Sequence, residues 1–243
     1  MKAIPVLDVL NGTVVHAVRG KREEYAPLTS AICTTTNPAD VALAFKSLHF
    51  DRLYLADLDA IMAKHMNYAL YKRISADSGL ELMVDAGIAD LEKAGKMLEN
   101  GVSQIIIGTE TLAKLEFVKQ AVEAFGEDRV IVSLDLKEGK VMSVSELIQS
   151  LDPLVLALAL QEMRVGRIIV LDLARVGTGQ GVNLAIVKEI LEKVKVEVWT
   201  GGGIQDINDL LRLRQLGVSG VLLATALHSG RITARELNSY GFL

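Results

Sequence analysis

Short apolar runs recur along the chain, each followed by a polar or glycine-rich turn. The runs are Ala3–Leu10, Arg52–Asp57, Glu81–Asp85, Gln104–Gly108, Val130–Asp135, Arg167–Asp172, Val196–Thr200 and Gly220–Ala224. Between most of them lie stretches such as DLEKAGKMLEN (90–100) and LAIVKEILEK (184–193), with apolar residues at i, i+3 and i+4, the period of an amphipathic helix. Strand alternating with helix implies a parallel sheet, and eight such units imply closure into a (β/α)8, or TIM, barrel of the α/β class. An open doubly wound sheet would show five or six units and a glycine-rich loop after the first strand, and that loop is absent.

The two halves of the pattern resemble each other. LELMVDAGIAD (80–90) aligns with VEVWTGGGIQD (196–206), and GVSQIIIGTETL (101–112) with GVSGVLLATALH (217–228), both at an offset of 116 residues. DRLYLADLDA (51–60) matches GRIIVLDLAR (166–175) at an offset of 115, and IPVLDVLNGTVV (4–15) matches VSLDLKEGKVM (132–142) through Asp8 and Asp135. Four matches in order indicate a duplicated half-barrel. We therefore expect one domain over residues 1–243, with halves of approximately 1–125 and 126–243.

Composition sharpens this picture. The 243 residues are close to one barrel's worth, and half are hydrophobic but only 5% aromatic, so the core must be built from Val, Ile, Leu and Ala. A net charge of −4 argues against non-specific nucleic-acid binding and means that any anion site is made locally. One cysteine, Cys33, forms no internal disulfide or thiolate cage, as in a reducing cytosol. MKAIPVLDVL is interrupted by Pro5 and Asp8 and reads as a strand, not a signal peptide. No apolar run reaches the roughly 18 residues of a membrane helix. The expectation is a cytoplasmic protein without membrane contact; the oligomeric state stays open.

The candidate chemistry sits at strand ends. The third and seventh strands end in Ala86-Gly87-Ile88 and Gly201-Gly202-Gly203-Ile204, and the fourth and eighth in Gly108-Thr109 and Ala224-Thr225. Small residues there let backbone N–H groups approach an anion, with the following helix N-terminus adding its dipole. A phosphate is expected at Gly201–Gly203 with Thr225. The first-half counterpart carries Asp85 where a glycine stands in the second half, and a carboxylate repels phosphate, so that site is left open between phosphate and another group. Asp8 and Asp135 end strands one and five, on opposite sides of an eight-stranded barrel. Such a pair suits proton transfer, one as base and one as acid. Asp57 and Asp172 are also repeat-related and are read as structural.

His16, His49, His65 and His228 show no metal-ligand spacing, so neither metal nor cofactor is expected. An exposed position at a helix start is the expectation for His228. The segment 11–37, with Arg19, Lys21 and Arg22, has the length of a lid or binding loop, although a solvated charge run is equally compatible. The loop RVGTGQGVN (175–183) carries three glycines, and Trp199 is assigned to core packing.

Together, IPVLDVLNGTVV with Asp8, VSLDLKEGKV with Asp135, the half-repeat, TGGGIQD and ARVGTGQGVN resemble the histidine-biosynthesis barrel family over nearly the whole chain. Its members are the ProFAR isomerase and the cyclase subunit of imidazole glycerol phosphate synthase. The resemblance implies a cofactor-free Amadori rearrangement of a phosphorylated aminoribose, with Asp8 and Asp135 in the positions of the family's acid and base. It also places Gly87, Gly108, Thr109, Gly177, Thr178, Gly201, Gly202, Gly203, Ala224 and Thr225 around the substrate. There are departures. Leu171 replaces the family's catalytic threonine and Val176 the Asp of its DGT motif. The first-half GGGIR reads Asp85-Ala86-Gly87-Ile88-Ala89, and 142–152 lacks the tryptophan-bearing loop. The expectation is a divergent isomerase-like enzyme on a phosphorylated ribose or aminosugar. The alternatives are a non-catalytic phosphometabolite-binding paralogue and a cyclase-like enzyme with an amidotransferase partner.

Overall fold

The structure, a computed structural model, describes residues 1–62 and 65–243. Its strands are β1 (Lys2–Leu10), β2 (Thr13–His16), β3 (Ala26–Pro27), β4 (Arg52–Asp57), β5 (Glu81–Asp85), β6 (Gln104–Gly108), β7 (Val130–Lys137), β8 (Lys140–Val141), β9 (Arg167–Asp172), β10 (Glu197–Gly201) and β11 (Gly220–Leu223). Eight of them run parallel in the order β1-β4-β5-β6-β7-β9-β10-β11, and β11 pairs back with β1 through Lys2↔Gly220 to Pro5↔Leu223. This is the closed (β/α)8 barrel the pattern implies. Closure removes both sheet edges, so every barrel strand has two neighbours.

Helices α1 (Pro38–Ser47), α2 (Leu58–Ile61), α3 (Tyr68–Ser78), α4 (Leu91–Glu99), α5 (Glu116–Phe125), α6 (Glu146–Gln149), α7 (Pro153–Glu162), α8 (Leu184–Lys193), α9 (Ile207–Leu216), α10 (Thr225–His228) and α11 (Ala234–Ser239) follow the strands. Their starts are written locally. The Asn37 side chain accepts from the N–H groups of Ala39 and Asp40, with Pro38 opening α1; Asp90, Asp152 and Asp206 cap α4, α7 and α9 in the same way. Among the described residues no helix is long and apolar enough to cross a membrane.

Two cores result from the alternation of side chains along each strand. Val, Ile, Leu and Ala of the outward faces pack under the helices. Ile4, Tyr54, Met83, Ile106, Ile131, Ile169, Trp199 and Leu222 fill the barrel interior. Trp199 lies in that interior, as its core assignment requires. The Arg167 guanidinium sits 4.4 Å from its ring centroid, and Arg167 and Arg52 pair with Glu197 and Glu81 at 2.9 and 3.3 Å. These pairs are themselves related by the sequence repeat, and with the indole they stopper the N-terminal end.

The segment 11–37 is more ordered than a bare connection. Asn11 and Gly12, both at positive φ, turn β1 into the antiparallel β2, and Glu138–Gly139 turn β7 into β8 with nearly the same angles. Arg19 N–H donates to the Val176 carbonyl at 3.0 Å, so this segment is stitched to the loop after β9. Gly177 lies at that seam, where an added Cβ would meet the Ala17 carbonyl at 2.5 Å.

Gly220 tests the closed end. A Cβ there would lie 2.7 Å from the Trp199 indole. Gly220→Ala is expected to cost about 1–3 kcal/mol by over-packing, read from the urea midpoint. An unchanged midpoint would mean that the ring does not wedge the barrel.

Candidate active site

A cavity of about 950 Å³, counting its open mouth, lies at the C-terminal rim of the barrel strands. It stands where such barrels place their small-molecule sites. Asp8 and Asp135 both line it, with Asp85 as a third carboxylate. β1, β5 and β7 deliver the three at their C-terminal ends, each preceded by apolar residues that fix the strand in the core.

The carboxylates are held differently. Asp135 Oδ1 accepts from the Ser133 hydroxyl at 2.7 Å and Oδ2 from the Glu110 N–H at 3.1 Å, while its own N–H donates to Thr109 Oγ1 at 2.9 Å. Asp85 Oδ1 accepts from the Gly87 N–H at 3.1 Å, and its Oδ2 lies 3.5 Å from the Tyr54 hydroxyl, which points toward it. The Asp8 carboxylate accepts no hydrogen bond from a described residue. Desolvation raises all three carboxyls: Asp85 to about 6, Asp8 to about 7, and Asp135, which also faces the charge on Asp85, to about 8. All three carboxyls thus hold their protons to higher pH than free carboxylates do, toward the range in which acid–base work is done.

Gly108 makes this crowding possible. A Cβ at that residue would stand 2.9 Å from Asp135 Oδ2 and 3.1 Å from Asp85 Oδ2. Its missing side chain leaves room for carboxylates, and Gly108 does not line the cavity.

The opposite wall carries backbone donors. Gly177, Gly202, Gly203, Ala224 and Thr225 line the cavity there. Among the described residues, the N–H groups of Gly177, Gly202, Gly203 and Thr225 donate to no protein acceptor. All three glycines have positive φ, at 75°, 85° and 87°, and backbone presses where a Cβ would stand, so only glycine exposes these donors. Thr225 Oγ1 lies 3.0 Å from His16 Nε2. The helix behind Thr225 has only four residues, so loop donors supply the positive potential and a helix dipole adds little.

The remaining sequence candidates lie behind the wall. Gly87 packs against the Ile61 backbone, Thr109 is fully buried, Gly201 abuts Leu222, and the Thr178 hydroxyl donates to the Arg175 carbonyl at 2.7 Å. His228 is buried rather than exposed, with Nδ1 2.9 Å from Ser30 Oγ, because it ends α10 under the 11–37 segment. Asp57 accepts from Ala60 N–H and the Tyr71 hydroxyl, and Asp172 from Ala174 N–H, so both order loops. Arg22 reaches the cavity and pairs with Glu110 at 2.7 Å. Tyr25, Tyr54 and Glu110 also line it. Nothing in the local pattern singled them out, although an apolar strand carrying one tyrosine hydroxyl, as in RLYLAD, was a usable signal. Leu171 and Val176 line the cavity as an apolar strip. Among the described residues no group of three or more His, Cys, Asp or Glu side chains is arranged to hold a metal ion.

Fold and cavity together define a (β/α)8-barrel protein with a carboxylate-lined cavity at its C-terminal rim. The chain belongs to the histidine biosynthesis protein family, whose model matches residues 2–233. It is 37% identical to an uncharacterized protein of Methanocaldococcus jannaschii, over 99% of this chain and all of that one. It is 34% identical to the 1-(5-phosphoribosyl)-5-((5-phosphoribosylamino)methylideneamino)imidazole-4-carboxamide isomerase of Methanosarcina acetivorans, over 96% of this chain and 94% of that one. Identity to the isomerase of that name from Methanococcus maripaludis is 29%, over 97% and 98%.

Ionisation of Asp135 links the site to stability. Its carboxyl rises from 3.8 to about 8 on folding, so the folded state holds the proton more tightly. The stability this contributes is fully present below about pH 4 and is lost as pH rises through 8. Asp135→Asn should therefore gain on the order of 1–3 kcal/mol relative to the unaltered protein between pH 4 and pH 8.5, read from urea midpoints. A pH-independent difference would mean that the carboxyl is not desolvated.

Proposed function

We propose that this chain is an isomerase-type enzyme acting on a phosphorylated ribose or aminosugar by acid–base chemistry, without a cofactor. The observation that carries the reading is one cavity with desolvated carboxylates on one wall and unpaired backbone N–H groups on the other. The phosphate docks on Gly177, Gly202, Gly203 and Thr225, which holds the sugar across the cavity toward Asp8 and Asp135. The ionised carboxyl of that pair removes the proton from C2, and the protonated one delivers a proton to the ring oxygen or to C1. Ring opening and the shift of the double bond then convert the aldose or aldosylamine to the ketose. The family and the named isomerase relatives support this class of reaction.

The relatives' own reaction is a poor fit for this site. Leu171 and Val176 stand where the family has a threonine hydroxyl and an aspartate, and neither donates a hydrogen bond. Loss of one such contact typically removes about 2–4 kcal/mol of transition-state stabilisation. Turnover of the bis-phosphorylated family substrate is expected to be low or absent. A cyclase reading, with ammonia delivered from a partner at the far end, is disfavoured by the Trp199 stopper and the packed interior.

The test is a panel of phosphorylated aldoses and aldosylamines followed by proton exchange at C2. With a turned-over member, Asp8→Asn and Asp135→Asn should each lower kcat by on the order of 10²–10⁴, and the double variant should be inactive. kcat/KM should be bell-shaped, with apparent limbs near 7 and 8 that belong to the coupled pair. A double variant that keeps turnover would falsify the assignment.

A further inference from the structure

The two halves of the rim, related by the sequence repeat, use corresponding atoms for opposite purposes. In the second half the N–H groups of Gly203 and Ala226 donate to no acceptor among the described residues, and both residues line the cavity. Their first-half counterparts at an offset of 116 are Gly87 and Glu110. Gly87 donates to Asp85 Oδ1 at 3.1 Å, and Glu110 donates to Asp135 Oδ2 at 3.1 Å. The protein's own carboxylates therefore occupy the donors that an incoming phosphate would need. Thr109 is fully buried, and the Gly87 turn packs against the Ile61 backbone and opens onto a separate pocket rather than onto this cavity.

What reaches the cavity from this half is acidic. Asp85, Glu110 and Asp135 line it together, Asp8 lies unpartnered in the same cavity, and Arg22, the single cation among the lining residues described, is committed to Glu110 at 2.7 Å. A dianion placed here would face several carboxylates in a desolvated pocket. An ammonium group would meet charge-assisted acceptors, which form the stronger class of hydrogen bond.

We infer that the cavity is bipolar: it takes a sugar with a single phosphate, held by the second half, and a primary ammonium group at the other end, held by Asp85, which thereby selects against a second phosphate. The inference rests on the phosphosugar reading above and narrows its substrate class. It also separates this chain from the relatives whose names carry two phosphoribosyl groups. Asp85 acts by contact with the ligand rather than by supporting another residue, because its carboxylate lines the cavity itself.

Calorimetric titration of the full chain at pH 7.5 tests this with three probes: 1-amino-1-deoxyribulose 5-phosphate, ribulose 5-phosphate and ribulose 1,5-bisphosphate. The aminated monophosphate should bind at least about tenfold tighter than ribulose 5-phosphate, and the bisphosphate should bind weakest. Asp85→Gly, which restores a glycine at the equivalent of Gly201, should raise bisphosphate affinity by about tenfold or more and abolish the advantage of the amine. Asp85→Asn keeps the side-chain size and should lose the amine preference, and matching thermal melts would show that both variants are folded. If the bisphosphate binds the unaltered chain as tightly as the aminated monophosphate, or if Asp85→Gly leaves the ranking unchanged, the bipolar assignment is overturned while phosphosugar binding stands. If none of the three binds, the phosphosugar reading itself falls and this inference with it.

Discussion

The site depends on the confinement of three carboxylates at strand ends where water reaches them poorly. β1, β5 and β7 end beneath a shared cavity, and the chain leaves no room for alternatives, because Gly108 gives up its side chain to the oxygens of Asp85 and Asp135. A desolvated carboxylate resists ionisation, and a neighbouring charge adds to that resistance. The proton therefore stays on at least part of the set near neutral pH. The barrel tolerates the cost because Asp135 and Asp85 find donors in Ser133, Glu110, Gly87 and Tyr54, and because the rest of the interior is apolar and well filled.

The other end of the molecule provides the rigidity this requires. Trp199, flanked by Arg167 and Arg52 with their glutamate partners, closes the N-terminal mouth. A barrel stoppered at one end and laced at the other by the 11–37 and 175–183 loops holds its strand ends in fixed relation. Groups on eight different strands can then converge on one cavity without any of them being close in sequence, the property that lets this architecture carry many chemistries.

Family membership and local departure are compatible for the same reason. The strand-end acids and the glycine turn after β10 are carried by the barrel strands themselves. Leu171, Val176 and Asp85 are single side chains at its rim, and each can change without disturbing a strand. Selectivity is therefore free to drift while the acid pair persists. The apolar strip from Leu171 and Val176 and the acidic patch around Asp85 lie on different parts of the cavity wall, so they affect different parts of a bound sugar.

Much of the fold was legible in one dimension because its determinants are local. Alternating apolar runs defined the strands; β4, β5, β6 and β9 begin and end where the runs do, since each run is bounded by charge or glycine. Helix starts were written in Asn37, Asp90 and Asp206, whose side chains cap the next N–H groups. Asp8, Asp135 and the second-half glycines could be named because a repeat marked them twice. Tertiary structure decided what no spacing encodes. It brought Arg22 and Tyr25 to the cavity from a segment that reads equally as a binding loop or a solvated charge run, and it buried His228 beneath that segment. It also turned the first-half N–H groups inward onto carboxylates, so that Gly87, Gly108 and Thr109 became supports for the acids. Those outcomes depend on which atoms meet across strands far apart in the chain, and that is set only when the barrel closes.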